Sequence, residues 1–338
     1  MKKICFFFLI CFTMAACQDE GAIEPLYVPD LMEIPKGFPE VDAPEGNEFT
    51  QARWDLGKKL FFDPILSADS SISCASCHHP QLAFSDNLPF SLGVEGAIGT
   101  RNSPTLANVA YHPYFTREGG VPTLEMQTLV PIQEHNEFNF NILLIAERLK
   151  QNAEYVVMSK EAYDREPDAF VITRSLACFE RSLLSGYSSY DQYVNYGKTD
   201  ALSEAAINGM NLFFGERTHC SSCHSGFNFT NYAFENNGLY ENYTDEGRFR
   251  LTSKEADRAL FKVASLRNIE LTAPYMHDGS MNTLEEVIAH YQSGGKNHPH
   301  KSDLLKPLNL TETEQQELIA FLKSLTDEEF VNNPLFNK

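Results

Sequence analysis

The residues with the clearest chemical meaning in this sequence are two copies of the pattern Cys-x-x-Cys-His, one in each half of the chain. In a c-type cytochrome the two thiols of this pattern add across the two vinyl groups of one haem, and the adjacent histidine binds the iron. Two copies therefore predict two covalent haems. The predicted attachment residues and iron ligands are Cys74, Cys77 and His78 for the first haem, and Cys220, Cys223 and His224 for the second.

Paired cysteines also occur in zinc sites and in redox dithiols. A zinc site needs no histidine directly after each pair, and a redox dithiol is not normally duplicated together with that histidine. The repeated histidine therefore favours haem over both alternatives.

The composition bounds the class of protein and its partners. The 338 residues include 46 Asp and Glu against 27 Lys and Arg, which gives a net charge of −19. This charge argues against a nucleic-acid partner and favours an electron donor with a basic docking face. The length is sufficient for two domains, and one haem pattern per half suits that division.

The N-terminus predicts export. Two lysines precede an apolar run over residues 4–14, which is too short to count as a membrane-spanning helix. The stretch Met14–Cys17 resembles a bacterial lipobox, so we expect a lipid on Cys17 and a periplasmic or outer-membrane lipoprotein. The alternative is ordinary signal cleavage with Cys17 unmodified. Cys178 is then the one cysteine without an assignment, so no disulfide is predicted.

The apolar stretch Gly57–Phe62 precedes the first haem pattern, and the similar stretch Gly209–Phe214 precedes the second. We expect a mainly α fold of two cytochrome c-like haem domains related by internal duplication, with much irregular loop. The polar stretch 191–203 around Gly197 suits a boundary. The predicted divisions are a signal peptide with lipobox at 1–17, a tether and strap at 18–48, an N-terminal haem domain at 49–196 and a C-terminal haem domain at 197–338.

Helical periodicity predicts a helix that ends near Phe62, before the first haem pattern. Cys178 lies beside a predicted apolar stripe and is read as a small core residue. Further helices are predicted from periodicity and from capping boxes, over residues 141–150, along the stripe Ile172–Leu183, and from Thr283 and Thr311.

In combination these stretches resemble the bacterial di-haem cytochrome c peroxidases, including their MauG-like branch. The resemblance runs from about Gly57 to about Leu325. It implies an N-terminal haem that reacts with hydrogen peroxide and a C-terminal haem that relays electrons from a donor. Its densest parts are Leu60–Pro64 and Leu212–Gly215, each with the haem pattern that follows, and Leu266–Gly279.

The resemblance also implies a distal pocket on the N-terminal haem, formed by Gln127, Pro131 and Glu137. A carboxylate such as Glu137 suits a proton shuttle between the two oxygens of peroxide, and Gln127 suits their orientation. From the residues alone, Glu137 is a surface carboxylate near Glu134.

Two positions depart from the family pattern. Many of these peroxidases close the resting N-terminal haem with a histidine sixteen residues after the proximal one, a position that holds Val94 here. Because valine cannot bind iron, we expect this haem to be open at rest. Arg117 stands where the family has a tryptophan between the haems. The one tryptophan of the chain is Trp54, so the aromatic relay is expected to be missing.

The second ligand of the C-terminal haem has two candidates, Tyr291 and Met276. Methionine is a common cytochrome c ligand, but the ligand position of MauG-like proteins falls on Tyr291. Leu284, Ile288 and Tyr291 share one helical stripe, and the alternative to ligation is a core tyrosine. The remaining histidines of this region are read as pocket and surface residues, namely His277, His290, His298 and His300.

The resemblance further implies a calcium ion between the domains, held by the side chain of Asn102 and the carbonyls of Thr272 and Pro274. Oxygen ligands suit calcium. From the residues alone, Asn102 is a turn residue.

The leading hypothesis is a di-haem peroxidase that reduces hydrogen peroxide with electrons from a small cytochrome c or cupredoxin. A MauG-like oxidase that modifies a Trp or Tyr of a partner protein is an alternative within the same fold. A pure electron-transfer cytochrome is a third, and it needs a closed sixth position on both haems. The assembly considered is a homodimer.

Overall fold

The computed structural model describes residues 31–338. The predicted signal peptide, the lipobox and Cys17 lie outside the described residues. In the described part no helix is both long enough and apolar enough to cross a bilayer. The α-helices there are α1 Gln51–Phe62, α2 Leu124–Gln127, α3 Leu129–Gln133, α4 Ile142–Lys150, α5 Ala153–Tyr163, α6 Ala169–Arg181, α7 Ser189–Val194, α8 Glu204–Phe214, α9 Cys220–Cys223, α10 Phe249–Thr252, α11 Leu284–Ser293, α12 Glu312–Lys323 and α13 Glu328–Val331.

Long irregular segments join these helices, and the sheet content of the described residues is small. Strands β1 (Phe234–Glu235) and β2 (Phe261–Lys262) pair antiparallel, with Phe234 opposite Lys262. The mainly α fold with much irregular loop is thus confirmed. Short 3-10 turns lie at Pro64–Leu66, Cys74–Ser76, Pro80–Leu82, Val94–Gly96, Val109–Tyr111, Glu255–Asp257, Ile269–Leu271 and Pro334–Phe336.

The first hydrophobic core forms where α1 crosses α6. Gly57 permits the crossing, because a Cβ built there would lie 1.9 Å from the backbone oxygen of Ser175. The rings of Phe61 and Phe179 meet beside it at 5.0 Å between centroids. Cys178 is 1 % exposed in this core, which confirms its expected burial.

The second core repeats this arrangement with α8 and α12. A Cβ at Gly209 would lie 1.8 Å from the backbone oxygen of Glu317. Phe213 and Phe321 then pack at 5.0 Å, as Phe61 and Phe179 do in the first core. The two predicted capping boxes are confirmed at the starts of α11 and α12, where Thr283 pairs with Glu286 and Thr311 with Glu314.

The two ends of the described chain cross between the halves. Phe38, near the start, stacks on Phe227 of the second half at 4.7 Å. Phe330, near the end, packs on Phe84 of the first core at 5.7 Å. Asp191, in the stretch read as a boundary, is fully buried and pairs with Arg267 at 2.5 Å. The domain division remains a prediction. Asp191, one of the polar residues on which it was based, is a partner in a buried ion pair and not an exposed linker residue.

Candidate haem sites

The first haem motif is held by local hydrogen bonds. Cys74–Ser76 forms a 3-10 turn, and the hydroxyl of Ser76 accepts from the N–H of Ser73 at 3.0 Å. Nδ1 of His78 lies 2.7 Å from the carbonyl oxygen of Phe84. A carbonyl requires Nδ1 to carry the proton, so Nε2 keeps its lone pair for a metal.

The second motif has the same construction. Cys220–Cys223 is the short helix α9, and Nδ1 of His224 lies 3.2 Å from the carbonyl oxygen of Phe229. Burial lowers the pKa of both His78 and His224, which favours the neutral ring that binds iron. Both motifs therefore fit a covalent haem with a histidine ligand.

Glu137 faces the first motif. Its charge acts on both Cys74 and Cys77, so the carboxyl lies within electrostatic range of both thiols, and its side chain is partly accessible to solvent. Protein atoms crowd the carboxyl on its other sides. The resulting loss of solvation raises the pKa of Glu137 to about 7, and repulsion from Glu134 acts in the same direction.

The backbone holds Glu137 in place. The N–H of Val94 donates to the carbonyl of Glu137 at 3.0 Å, and the N–H of Phe138 donates to the carbonyl of Pro131 at 3.1 Å. Val94 itself is 4 % exposed and brings only apolar atoms to this region. At the end of α2, Oε1 of Gln127 is buried without a hydrogen-bond partner among the described residues. Such an acceptor suits a ligand that donates a hydrogen bond.

Tyr291 of α11 lies beside the second motif, since Cys220 and Cys223 both act on its ionisation. Burial raises the pKa of Tyr291 to about 12, and a hydrogen bond from Asn237 opposes the shift. Asn237 also donates through Nδ2 to the sulfur of Met276 at 3.2 Å. The two candidate ligands of the second haem thus share one amide partner.

The other histidines of this region already have protein partners. His277 stacks on Phe261 at 4.2 Å, and Nε2 of His290 lies 2.9 Å from the carbonyl of Asn237. His298 and His300 are half-buried, and Nδ1 of His300 lies 3.0 Å from the carbonyl of Arg258.

The expected calcium ligand Asn102 contacts a cation of the protein itself. Nη2 of Arg117 donates to the backbone oxygen of Asn102 at 2.7 Å and to Oδ1 at 3.2 Å. The amide nitrogen of Asn102 donates to Leu88 at 3.1 Å. In the described chain no three His, Cys, Asp or Glu side chains form a metal site. A guanidinium therefore contacts one oxygen of the predicted calcium site, and calcium there stays a prediction.

Trp54 lies in the first hydrophobic core and does not take the place of the family's tryptophan between the haems. It is 3 % exposed in the first core, and its indole N–H donates to the hydroxyl of Ser182 at 2.8 Å. The position of Arg117 therefore has no tryptophan substitute in the described structure.

Sequence reasoning missed two residues of these sites. Asn237 gave no signal, because its role depends on contacts between distant segments. Glu180 of α6 is 8 % exposed, and its charge acts on Cys74. Burial raises the pKa of Glu180 to about 8. A charged residue beside the apolar stripe of this helix was the available clue.

Comparison with known proteins decides the family. A family model described as di-haem cytochrome c peroxidase matches residues 51–199. The methylamine utilization protein MauG of Methylorubrum extorquens is 38% identical over 291 residues, which cover 85% of this chain and 82% of that protein. This chain belongs to the di-haem cytochrome c peroxidase family. Cytochrome c551 peroxidase of Nitrosomonas europaea is 32% identical over 280 residues, covering 81% of this chain and 80% of that protein.

A solved structure gives the same family at the level of fold. The crystal structure of a MauG-like protein associated with microbial copper homeostasis superposes with a TM-score of 0.85 and 33% identity. The superposition covers 90% of this chain and 98% of that one. Membership of the di-haem family implies two c-type haems, in agreement with the two histidines that the structure prepares as ligands.

Proposed function

We propose that this protein reduces hydrogen peroxide to water with electrons from a small cytochrome c or cupredoxin. The observation that carries the proposal is Glu137, a carboxyl with a pKa of about 7 that lies within electrostatic range of Cys74 and Cys77. A group with this pKa accepts and donates protons readily at neutral pH. Its place beside the first motif supports the N-terminal haem as the peroxide site.

When bound, the haems supply the redox chemistry, and the chain supplies the proton transfers. Reduction of one peroxide consumes two electrons from the donor and two protons from solvent, and it yields two water molecules. Glu137 takes the proton of one peroxide oxygen and returns it to the other, which leaves as water. Oε1 of Gln127 accepts a hydrogen bond from peroxide, and Pro131 fixes the turn that presents Glu137.

The residues beside each motif support a proposal for the second iron ligand of each haem. Val94 offers no metal-binding atom on the peroxide side, so the N-terminal haem is open at rest. Tyr291 is the proposed second ligand of the C-terminal haem, because both cysteines of that motif act on it. Met276 is the competing candidate.

The location and assembly of the protein are also proposed. The basic and apolar N-terminus supports export, and Cys17 supports a lipid anchor on a periplasmic or outer-membrane protein. A homodimer is the proposed assembly. Calcium at Asn102, Thr272 and Pro274 has only the family resemblance in its favour, against the guanidinium that contacts Asn102.

A MauG-like oxidase is the second candidate function. It would oxidise a Trp or Tyr of a partner protein, with two oxidising equivalents held on the haems. The position of Tyr291 and the 38% identity to MauG favour it. A pure electron-transfer cytochrome is disfavoured by Val94, since that function needs both haems closed.

Steady-state peroxide consumption by the purified haem protein, with a reduced small cytochrome c or a reduced cupredoxin, tests the proposal. We expect donor oxidation and peroxide loss in a ratio of two electrons per peroxide. Donor oxidation without peroxide loss would contradict it. Peroxide loss without donor oxidation, together with oxidised Trp or Tyr in an added protein, would favour the second candidate.

A further inference from the structure

Two cations meet where the halves of the molecule touch. The N–H of Lys262 in β2 donates to the carbonyl of Arg117 at 2.7 Å. Nζ of Lys262 donates to the carbonyl of Tyr114 at 3.0 Å and lies 3.4 Å from Nδ1 of His112. The charge of Arg117 acts on Lys262, so these two cations from distant segments lie within electrostatic range of each other.

Both haem motifs lie close to these cations. Arg117 binds Asn102, and the next residue, Ser103, donates its hydroxyl to the carbonyl of Cys77 at 3.1 Å. On the other side, the backbone of Ala264, two residues after Lys262, hydrogen-bonds the ring of His224. Arg117 is thus linked to the first motif through Asn102 and Ser103, and Lys262 is linked to the second motif through Ala264.

Neither cation has an anionic partner among the described residues. Both side-chain hydrogen bonds of Arg117 go to the neutral Asn102, and its Nε is buried without a partner. Nζ of Lys262 contacts a carbonyl and an imidazole and lies 5.8 Å from the ring centroid of Tyr114, none of which carries a negative charge. A charge in such surroundings is costly unless a counter-ion and further hydrogen bonds compensate it.

The nearby carboxylates are engaged elsewhere. Glu118 and Asp245 both pair with Arg101, at 2.5 Å and 2.6 Å. Asp278 accepts a hydrogen bond from the hydroxyl of Tyr240 at 2.7 Å. These acids act on Arg117 only at longer range. The described residues therefore supply no carboxylate in contact with either cation.

We propose that Arg117 and Lys262 form an anion site for carboxylate groups of the two haems, and that Arg117 supplies at Asn102 the positive charge expected from calcium. Each haem carries propionate carboxylates, and a guanidinium with a free Nε–H is a strong donor to such groups. This proposal requires that two haems are bound, but it does not require that the protein reduces peroxide. Its test therefore uses no peroxide.

Calcium is excluded by charge. A calcium ion binds oxygen at about 2.3–2.6 Å. An ion on Oδ1 of Asn102 would therefore lie beside the guanidinium that donates to the same oxygen at 3.2 Å. The two positive charges repel, and the predicted calcium ligands Asn102, Thr272 and Pro274 offer only neutral oxygens to offset them.

Midpoint potentials of both haems in the intact holoprotein test the site. A positive charge near a haem favours its reduced form. We expect Arg117→Met to lower the equilibrium constant for haem reduction about tenfold. This corresponds to a midpoint potential lower by about 59 mV for a one-electron couple. Arg117→Lys should restore most of this shift. Arg258→Gln removes an exposed, carboxylate-paired cation and is the matched control, expected to leave both potentials unchanged.

Equal potentials in Arg117→Met and Arg258→Gln would overturn the proposal. If Arg117→Met fails to incorporate haem, Lys262→Met decides, with an expected lower potential of at least the C-terminal haem. An unchanged potential in that variant would equally count against the site.

Two measurements on the wild-type protein separate the sources of the anion and of the cation. Inorganic phosphate at constant ionic strength should leave the potentials unchanged if haem carboxylates fill the site. A phosphate-dependent potential that Arg117→Met abolishes would assign a free anion instead and overturn the haem assignment. Elemental analysis after dialysis against calcium should show no stoichiometric calcium, and one calcium per chain would refute the exclusion.

Discussion

In the first half of the molecule Gly57 of α1 lies on the backbone of α6, and in the second half Gly209 of α8 lies on the backbone of α12. Each half then places a phenylalanine carbonyl on Nδ1 of its haem histidine, Phe84 for the first and Phe229 for the second. The scaffold that prepares a haem ligand is thus the same twice.

The side chains beside each motif differ. Glu137, with its pKa near 7, lies near the first motif, and the apolar side chain of Val94 offers no atom there that could bind iron. The second motif has Tyr291 and Met276 on one amide, that of Asn237. The backbone contact that prepares each motif is therefore repeated, whereas the loop and helix-end residues beside the two motifs differ.

The largest expected effect concerns Glu137→Gln, which keeps the shape of the side chain but cannot carry a proton. We expect the reaction with peroxide to slow by about 10²–10⁴-fold. Stopped-flow mixing measures this step, and haem content and donor reduction should stay as in the wild type. Glu134→Gln is the matched control, with a rate within about twofold of wild type. Similar rates for the two variants would remove Glu137 from the mechanism.

The shared scaffold is tested by Gly57→Ala and Gly209→Ala. Because each Cβ would meet a backbone oxygen at 1.9 Å or 1.8 Å, we expect each change to cost about 3 kcal/mol of unfolding free energy. Guanidinium unfolding followed by haem absorption measures it. Gly197→Ala is the control, since nothing lies within 4 Å and only its φ of +73° opposes alanine, at about 1 kcal/mol. A large loss of unfolding free energy in only one of these two variants would show that the two helix crossings are not equivalent.

A smaller effect is expected from pH. Glu137 must be ionised to accept a proton, so a pKa of about 7 predicts that the peroxide reaction speeds up about tenfold from about pH 6 to about pH 8. Glu137→Gln should abolish this inflexion. Glu180→Gln should retain it, although Glu180 is also a carboxyl with a raised pKa beside the first motif. Loss of the inflexion in Glu180→Gln alone would move the assignment to that residue.

The most confined effect concerns the second motif. Tyr291→Phe should alter the absorption of the C-terminal haem and leave that of the N-terminal haem unchanged, because Tyr291 lies beside the C-terminal motif. Met276→Leu is the comparison variant and should leave both spectra as they were. The reverse pattern would assign Met276 as ligand and make Tyr291 a core residue.

The sequence by itself determined the parts that depend on neighbours along the chain. The two haem motifs follow from spacing, the helix starts at Thr283 and Thr311 follow from capping boxes, and the duplication follows from the repeated apolar stretches. These features depend on a few consecutive residues, so a pattern is sufficient to predict them.

Only the tertiary structure decided which distant groups meet. Arg117 contacts Asn102, Asn237 joins Met276 to Tyr291, and Asp191 is buried on Arg267. The pKa of Glu137 likewise depends on how many protein atoms crowd its carboxyl. Spacing along the chain carries none of this information, because the energies of charges and hydrogen bonds depend on distance and solvation in the folded molecule.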